Sequence, residues 1–294
     1  MPVASDAEPE TDANDGNTND ALPINELFAS LQGEGKLAGQ PSTFVRTSGC
    51  NLRCWFCDSY HTSWEPTGAW RDREAILEAV AERDPDHVVL TGGEPLIHDG
   101  AADLLAALDD RGYHVTVETN GTIVPPEETP IDLASVSPKL ASSTPTPARP
   151  PAGVDPDTPD TSDDSAVNDA EIERWTEKHE ADRLDRDALA SLVDRYDTQL
   201  KFVVTGPDDL PEIEALVADV RERLAARDDL APGIETATEA RETLGDDDVL
   251  LMPEGQTRDR LAETRRVVAD LALEHGYRYT PRLHVDLWND APGT

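Results

Sequence analysis

Cys50-Asn51-Leu52-Arg53-Cys54-Trp55-Phe56-Cys57 holds every cysteine of a 294-residue chain, at the spacing C-x3-C-x2-C. Thiolates carried on one loop can converge on a single soft metal centre. Three donors are one fewer than a closed structural site takes. An iron–sulfur cube held by these three would keep one iron open to a further ligand. Zinc, disulfide and ferredoxin arrangements suit the spacing less well. A zinc ribbon wants a second C-x2-C or a histidine pair, and only His61 stands near as a lone fourth ligand. A disulfide framework leaves one thiol over. An electron-transfer ferredoxin normally brings a fourth cysteine.

The loop directly follows Ser42-Thr43-Phe44-Val45-Arg46-Thr47, which reads as a short strand. It therefore lies at a strand's C-terminal end, where parallel α/β folds gather their active sites. Downstream, apolar runs predict strands at 87–91, 115–118, 134–136, 199–204 and 249–252. Helical periodicity falls between them, over 71–83, 100–111, 209–227 and 257–275. His284-Val285-Asp286-Leu287-Trp288 reads as a closing strand. Strand alternating with helix gives an α/β fold with a parallel sheet. About six units fall short of the eight of a complete barrel.

Two segments break the pattern. Residues 1–20 carry six acidic side chains and no basic one, and the stretch up to residue 22 reads as a disordered acidic tail. Residues 141–185 form an insertion within the 23–289 domain. Its first part is crowded with Pro, Ser, Thr and Asp, and 171–184 suits a charged helix. The expectation is a solvated, partly disordered surface insertion that turnover does not need.

Net charge is −36, with lysine only at Lys36, Lys139, Lys178 and Lys201. Such a surface repels nucleic acid and anionic membranes, so neither is expected as a partner. Periodic apolar segments argue against a wholly disordered chain. The charge reads instead as adaptation to high salt, where screening relieves self-repulsion. No apolar run approaches the ~20 residues that span a bilayer, and the acidic N-terminus is not a secretory signal. A cytoplasmic location is expected, where thiols stay reduced.

C-x3-C-x2-C with Phe56 before its last cysteine resembles the radical S-adenosylmethionine superfamily, as do Thr91-Gly92-Gly93-Glu94-Pro95 and Glu118-Thr119-Asn120-Gly121. Ile24-Asn25-Glu26-Leu27-Phe28, Leu31-Gln32-Gly33-Glu34-Gly35, Thr43-Phe44-Val45-Arg46, Cys57-Asp58-Ser59 and Ser137-Pro138-Lys139 narrow it further. They make the chain similar to the 7-carboxy-7-deazaguanine synthase family over about 23–140 and 197–289. That resemblance implies a partial (β/α)6 barrel, a 4Fe-4S cluster on Cys50, Cys54 and Cys57, and S-adenosylmethionine chelated to the fourth iron. Reduction then yields a 5′-deoxyadenosyl radical.

The same resemblance assigns the remaining residues. Phe56, Asp58, Gly93, Glu94, Glu118, Asn120, Ser137, Pro138 and Lys139 are expected to bind the cofactor, and Ser59 to coordinate magnesium. Glycine at Gly93 lets a ligand lie against bare backbone, and Glu94 can accept from an ammonium. Leu31, Gln32, Gly33, Glu34, Arg46 and Thr91 are expected on the substrate side. Gln32 and Glu34 suit the polar edge of a pterin. Arg46, on an otherwise apolar strand, needs an anion, and a substrate carboxylate suits its bidentate fork. A structural salt bridge is the plainer reading of Arg46, and a solvated loop acid that of Glu34.

The implied reaction converts 6-carboxy-5,6,7,8-tetrahydropterin to 7-carboxy-7-deazaguanine with loss of ammonia, upstream of queuosine or archaeosine in transfer RNA. A homodimer and a reductase such as flavodoxin or ferredoxin are implied partners. Two further activities could use the same cysteines. One is that of a different short radical enzyme such as a glycyl-radical activase; the other is that of a non-catalytic cluster carrier or scaffold.

Overall fold

The computed structural model describes residues 20–151, 169–230, 244–289 and 291. Residues 1–19 of the expected tail and 152–168 of the expected insertion lie outside them. One sheet organises the rest. Its strands are β1 (Ala21–Leu31), β2 (Pro41–Thr47), β3 (Ala69–Asp72), β4 (His87–Gly92), β5 (His114–Thr119), β6 (Leu133–Val136), β7 (Thr198–Val204), β8 (Val249–Pro253) and β9 (Arg278–Tyr279). They lie in the order β3-β1-β2-β4-β5-β6-β7-β8-β9. β3, β1 and β2 pair antiparallel, and every pair from β2 to β9 is parallel. The six strands from β2 and β4 to β8 are those the apolar runs predict, and the sheet fits a partial barrel.

The helices are α1 (Tyr60–Ser63), α2 (Arg73–Ala81), α3 (Ala101–Asp109), α4 (Asp169–Asp182), α5 (Arg186–Arg195), α6 (Leu210–Leu230), α7 (Arg258–His275) and α8 (Leu283–Trp288), of which α2, α3, α5, α6 and α7 form a layer packed on one face of the sheet. The period-2 alternation of each strand sorts its side chains between this layer and the concave face. In β7, Leu200, Phe202 and Val204 join a core with Leu189 and Leu192 of α5, Ile213 and Val217 of α6, and Val268 of α7. The intervening Lys201 and Val203 line the central cavity. In β2, Val45 packs with Ile76 of α2 and Leu104 of α3, while Phe44 and Arg46 face the cavity. A break in the β1–β2 register between Ile24 and Glu26 lets Ile24 and Leu27 share that core while Glu26 lines the cavity.

Three expectations need correction. The tail is too long by two residues, because β1 begins at Ala21 and Leu22 is buried against α2 and α3. His284–Trp288 is not a strand. β9 already pairs with β8, so the last segment has no partner there and coils as α8, with Leu283 N–H donating to Gly33 O at 2.8 Å. The helix expected over 171–184 is present as α4, but it is not a purely solvated appendage. Ile172 and His179 are buried in it, because α4 packs on the cysteine loop.

Candidate active site

A cavity of about 300 Å³ opens at the C-terminal ends of the parallel strands. Cys50, Cys54 and Cys57 line one side. Backbone contacts seat their loop: Gly49 N–H donates to Thr62 O at 2.8 Å, and Glu94 N–H to Gly49 O at 2.9 Å. Gly93 has to be glycine, since a Cβ there would stand 2.3 Å from Gly49 O and 2.8 Å from Cys50 Cβ. Burial pushes the Cys50 thiol up to about 12 and raises Cys54 and Cys57 as well. Such thiols become thiolates when a cationic centre supplies the compensating charge. Among the described residues, no three His, Cys, Asp or Glu side chains already surround one ion position.

The cavity wall also carries a connected set of charges, with Lys201 and Arg282 buried, Glu34 mostly buried and Asp58, next to Cys57, exposed at its edge. Glu34 Oε2 takes Lys201 Nζ at 2.5 Å, and Glu34 Oε1 takes Arg282 Nε at 3.1 Å. Burial works to raise Glu34, but Lys201, Arg282 and His284 outweigh it and hold the carboxyl far below its usual range. Burial opposes the charge on Lys201 too; Glu34 and Glu118 overcome it and raise its pKa. Arg282 also binds the Asp58 carboxylate and donates to Gly255 O at 2.7 Å. Desolvation would raise Asp58, but Arg282 keeps it ionised. Glu118 accepts from Gln32 Nε2 at 3.1 Å and Thr91 Oγ1 at 2.8 Å. Gly33 makes room for His284, whose Nδ1 would lie 2.0 Å from a Cβ there.

Arg46 spans two anchors: Nε meets Glu26 Oε2 at 3.1 Å and NH1 donates to Ser59 Oγ at 2.9 Å. Its guanidinium lies 5.6 Å from the Phe28 ring centre, and Phe28 stacks on Phe44 at 5.1 Å. Lys139 Nζ donates to Ser137 Oγ at 2.7 Å. Asn120 Nδ2 donates to Asn51 Oδ1 at 2.8 Å, tying the β5 end to the cysteine loop.

Seventeen of the nineteen residues expected at a site line this one cavity: Leu31, Gln32, Gly33, Glu34, Arg46, Cys50, Cys54, Phe56, Cys57, Asp58, Ser59, Thr91, Gly93, Glu118, Asn120, Ser137 and Lys139. Glu94 and Pro138 do not. Glu94 is fully buried, and its carboxylate accepts from Asn120 N–H at 2.6 Å, Leu96 N–H at 3.1 Å and Thr119 Oγ1 at 2.9 Å. It is a brace between the β4 and β5 ends rather than a group facing a ligand.

Residues 44–136 match the Radical SAM superfamily. A 7-carboxy-7-deazaguanine synthase from Halobacterium salinarum is 57% identical over 295 aligned positions, covering 100% of both chains. One from Rhodopirellula baltica is 37% identical, covering 100% of this chain and 96% of the other. The chain belongs to the 7-carboxy-7-deazaguanine synthase family. Its fold also matches the crystal structure of QueE from Escherichia coli, with a TM-score of 0.53 and 21% identity over 90% of this chain and 95% of that one.

Within this family site, sequence reasoning missed Lys201, Arg282 and His284. Lys201 carried a usable signal, the same one that marked Arg46: a cation on a strand whose neighbours are apolar. Arg282 carried none, since it lies between the segments assigned from periodicity, and His284 was hidden because 284–288 was read as a strand rather than as α8.

Proposed function

We propose that this chain is a 7-carboxy-7-deazaguanine synthase that contracts the ring of 6-carboxy-5,6,7,8-tetrahydropterin with release of ammonia. The observation that carries the reading is full-length 57% identity to a protein of that name. The cavity supports it by joining three thiols to a wall of pterin-suited polar groups. Cys50, Cys54 and Cys57 would hold a 4Fe-4S cluster. With S-adenosylmethionine bound, the cluster supplies the one-electron chemistry that starts the reaction.

The remaining work falls to the chain. Lys201 and Arg282 fix Glu34 in its ionised form, so it can only accept from ring N–H groups of the substrate. Gln32 is oriented from both sides, donating to Glu118 and accepting from Glu34 N–H at 3.2 Å. Arg46, turned into the cavity by Glu26, offers its guanidinium to the substrate carboxylate. Lys139 with Ser137, and the backbone of Gly92-Gly93 packed against the end of β2 and the cysteine loop, line the cavity where S-adenosylmethionine would lie beside the thiols. The residues around Ser59 do not fit magnesium as arranged. Its hydroxyl accepts from Arg46, and the adjacent Asp58 carboxylate is held by Arg282.

We further propose a homodimer, an electron-donor protein such as flavodoxin or ferredoxin, a place upstream of modified nucleosides in transfer RNA, a cytoplasmic setting and adaptation to high salt. The −36 charge supports the last. Among the described residues, no helix is long and apolar enough to cross a membrane. The deciding experiment is anaerobic turnover of the reconstituted protein with the carboxytetrahydropterin, read by mass spectrometry. Formation of 7-carboxy-7-deazaguanine is expected; reductive cleavage of S-adenosylmethionine with no such product refutes the substrate assignment.

A further inference from the structure

The cysteine loop makes no sheet ladder, so its backbone groups need partners from elsewhere. On the side away from the cavity those partners come from the 141–144 turn and α4. Arg53 N–H donates to His179 Nδ1 at 3.2 Å, and Trp55 N–H to Ser143 O at 3.1 Å. Trp55 Nε1 donates to Ser142 O at 2.7 Å. His179 is fully buried, and its tautomer follows from its neighbours. Ser143 Oγ gives its proton to Leu140 O at 2.6 Å, so at 2.9 Å it must accept from His179 Nε2–H. Nδ1 is then free of a proton and can accept from the loop. Burial, which lowers His179 to about 4, keeps it in that neutral form.

Trp175, one turn earlier on α4, completes the contact. The Arg53 guanidinium lies 4.2 Å from its ring centre while donating to Cys50 O at 2.8 Å and Leu52 O at 2.9 Å. The helix is anchored independently of the loop. Thr176 Oγ1 donates to Pro145 O at 2.7 Å, and Arg183 reaches Lys139 O at 2.9 Å and Glu212 Oε1 at 2.6 Å.

We propose that α4 is a clamp on the cysteine loop, with His179 and Trp175 as positioning residues that hold the backbone of Arg53 in its ligating conformation. The proposal takes from the functional reading only the purpose of the loop, a cluster site.

The test uses the full-length holoprotein and two variants. His179→Phe keeps a buried ring but offers Arg53 N–H no acceptor. His179→Gln keeps an acceptor and a donor on one planar group. Peptide-resolved hydrogen exchange over 50–57 and the rate at which an iron chelator bleaches the visible absorption are the readouts. His179→Phe is expected to speed both by at least about tenfold, the scale of one buried N–H left unpaired. His179→Gln should stay within a few-fold of wild type, and exchange in the α2–α3 half should not change. Wild-type exchange in His179→Phe overturns the clamp. So does a rise spread over the whole sheet, or a failure of His179→Gln to rescue. A wild-type protein that forms no cluster would refute the cluster reading instead, and exchange over 50–57 would still decide the clamp.

Discussion

Lys201→Met removes the cation closest to Glu34 while keeping a side chain of similar length. Both partners are buried, with Lys201 6% and Glu34 12% exposed. Breaking a buried pair from one side costs about 3–5 kcal/mol, because a charge is left without its counter-ion. Glu34 keeps Arg282 at 3.1 Å, which places the loss near the lower end, about 3 kcal/mol. In a chain of this size that lowers the melting temperature by about 6–12 °C. The assay is denaturation followed by circular dichroism at fixed high salt, with Lys201→Met, Glu34→Gln and the double variant forming a cycle. The double variant should recover at least about 1 kcal/mol relative to additivity, because the orphaned carboxylate is gone. The pH dependence gives a second check. Glu34's folded pKa is depressed, so its contribution is complete above the unfolded value of about 4.3 and is lost as pH falls towards the folded one. Acid destabilisation below about pH 5 should therefore be shallower in Lys201→Met than in wild type. A Lys201→Met variant within about 0.5 kcal/mol of wild type would refute a pair of this worth.

Replacing Cys50, Cys54 or Cys57 singly by Ala should abolish reductive cleavage of S-adenosylmethionine and the visible cluster absorption, or leave a labile cluster; full activity in any of the three contradicts their assignment. Arg46→Ala should weaken substrate binding by tens to hundreds of fold, on the scale of about 1.5–3 kcal/mol for a charge-assisted contact. Cleavage without substrate should survive, and Arg46→Lys should rescue poorly; normal affinity in titrations of Arg46→Ala would remove the carboxylate assignment. Stability should rise steeply with potassium chloride as the Debye length falls from about 30 Å at 0.01 M to about 3 Å at 1 M. Equal melting temperatures at both salts would contradict the high-salt reading. Deleting 169–182 should release the cluster, since α4 supplies the acceptor for Arg53 N–H; a deletion that retains cluster and turnover would restore the view of a dispensable insertion.

The α/β class, the six parallel strands and the gathering of the three thiols at one site were legible in the order of residues. Those features are local. Apolar runs mark strands wherever the chain passes, and three cysteines within eight residues need no tertiary information to be read as one site. Motifs at strand ends were legible for the same reason, because a parallel sheet brings all such ends to one edge. Which of these side chains face the cavity follows only from how the chain packs. Glu94 looked like a ligand group, and only the approach of Thr119 and Asn120 shows its carboxylate already taken. Lys201 and Arg282 meet at Glu34 across 167 and 248 positions of chain, a distance that no spacing rule covers. α4 shows the limit most clearly. Its mostly charged sequence suggested solvent on every side, and His179 became a loop partner only because the fold brings α4 against the backbone of Arg53.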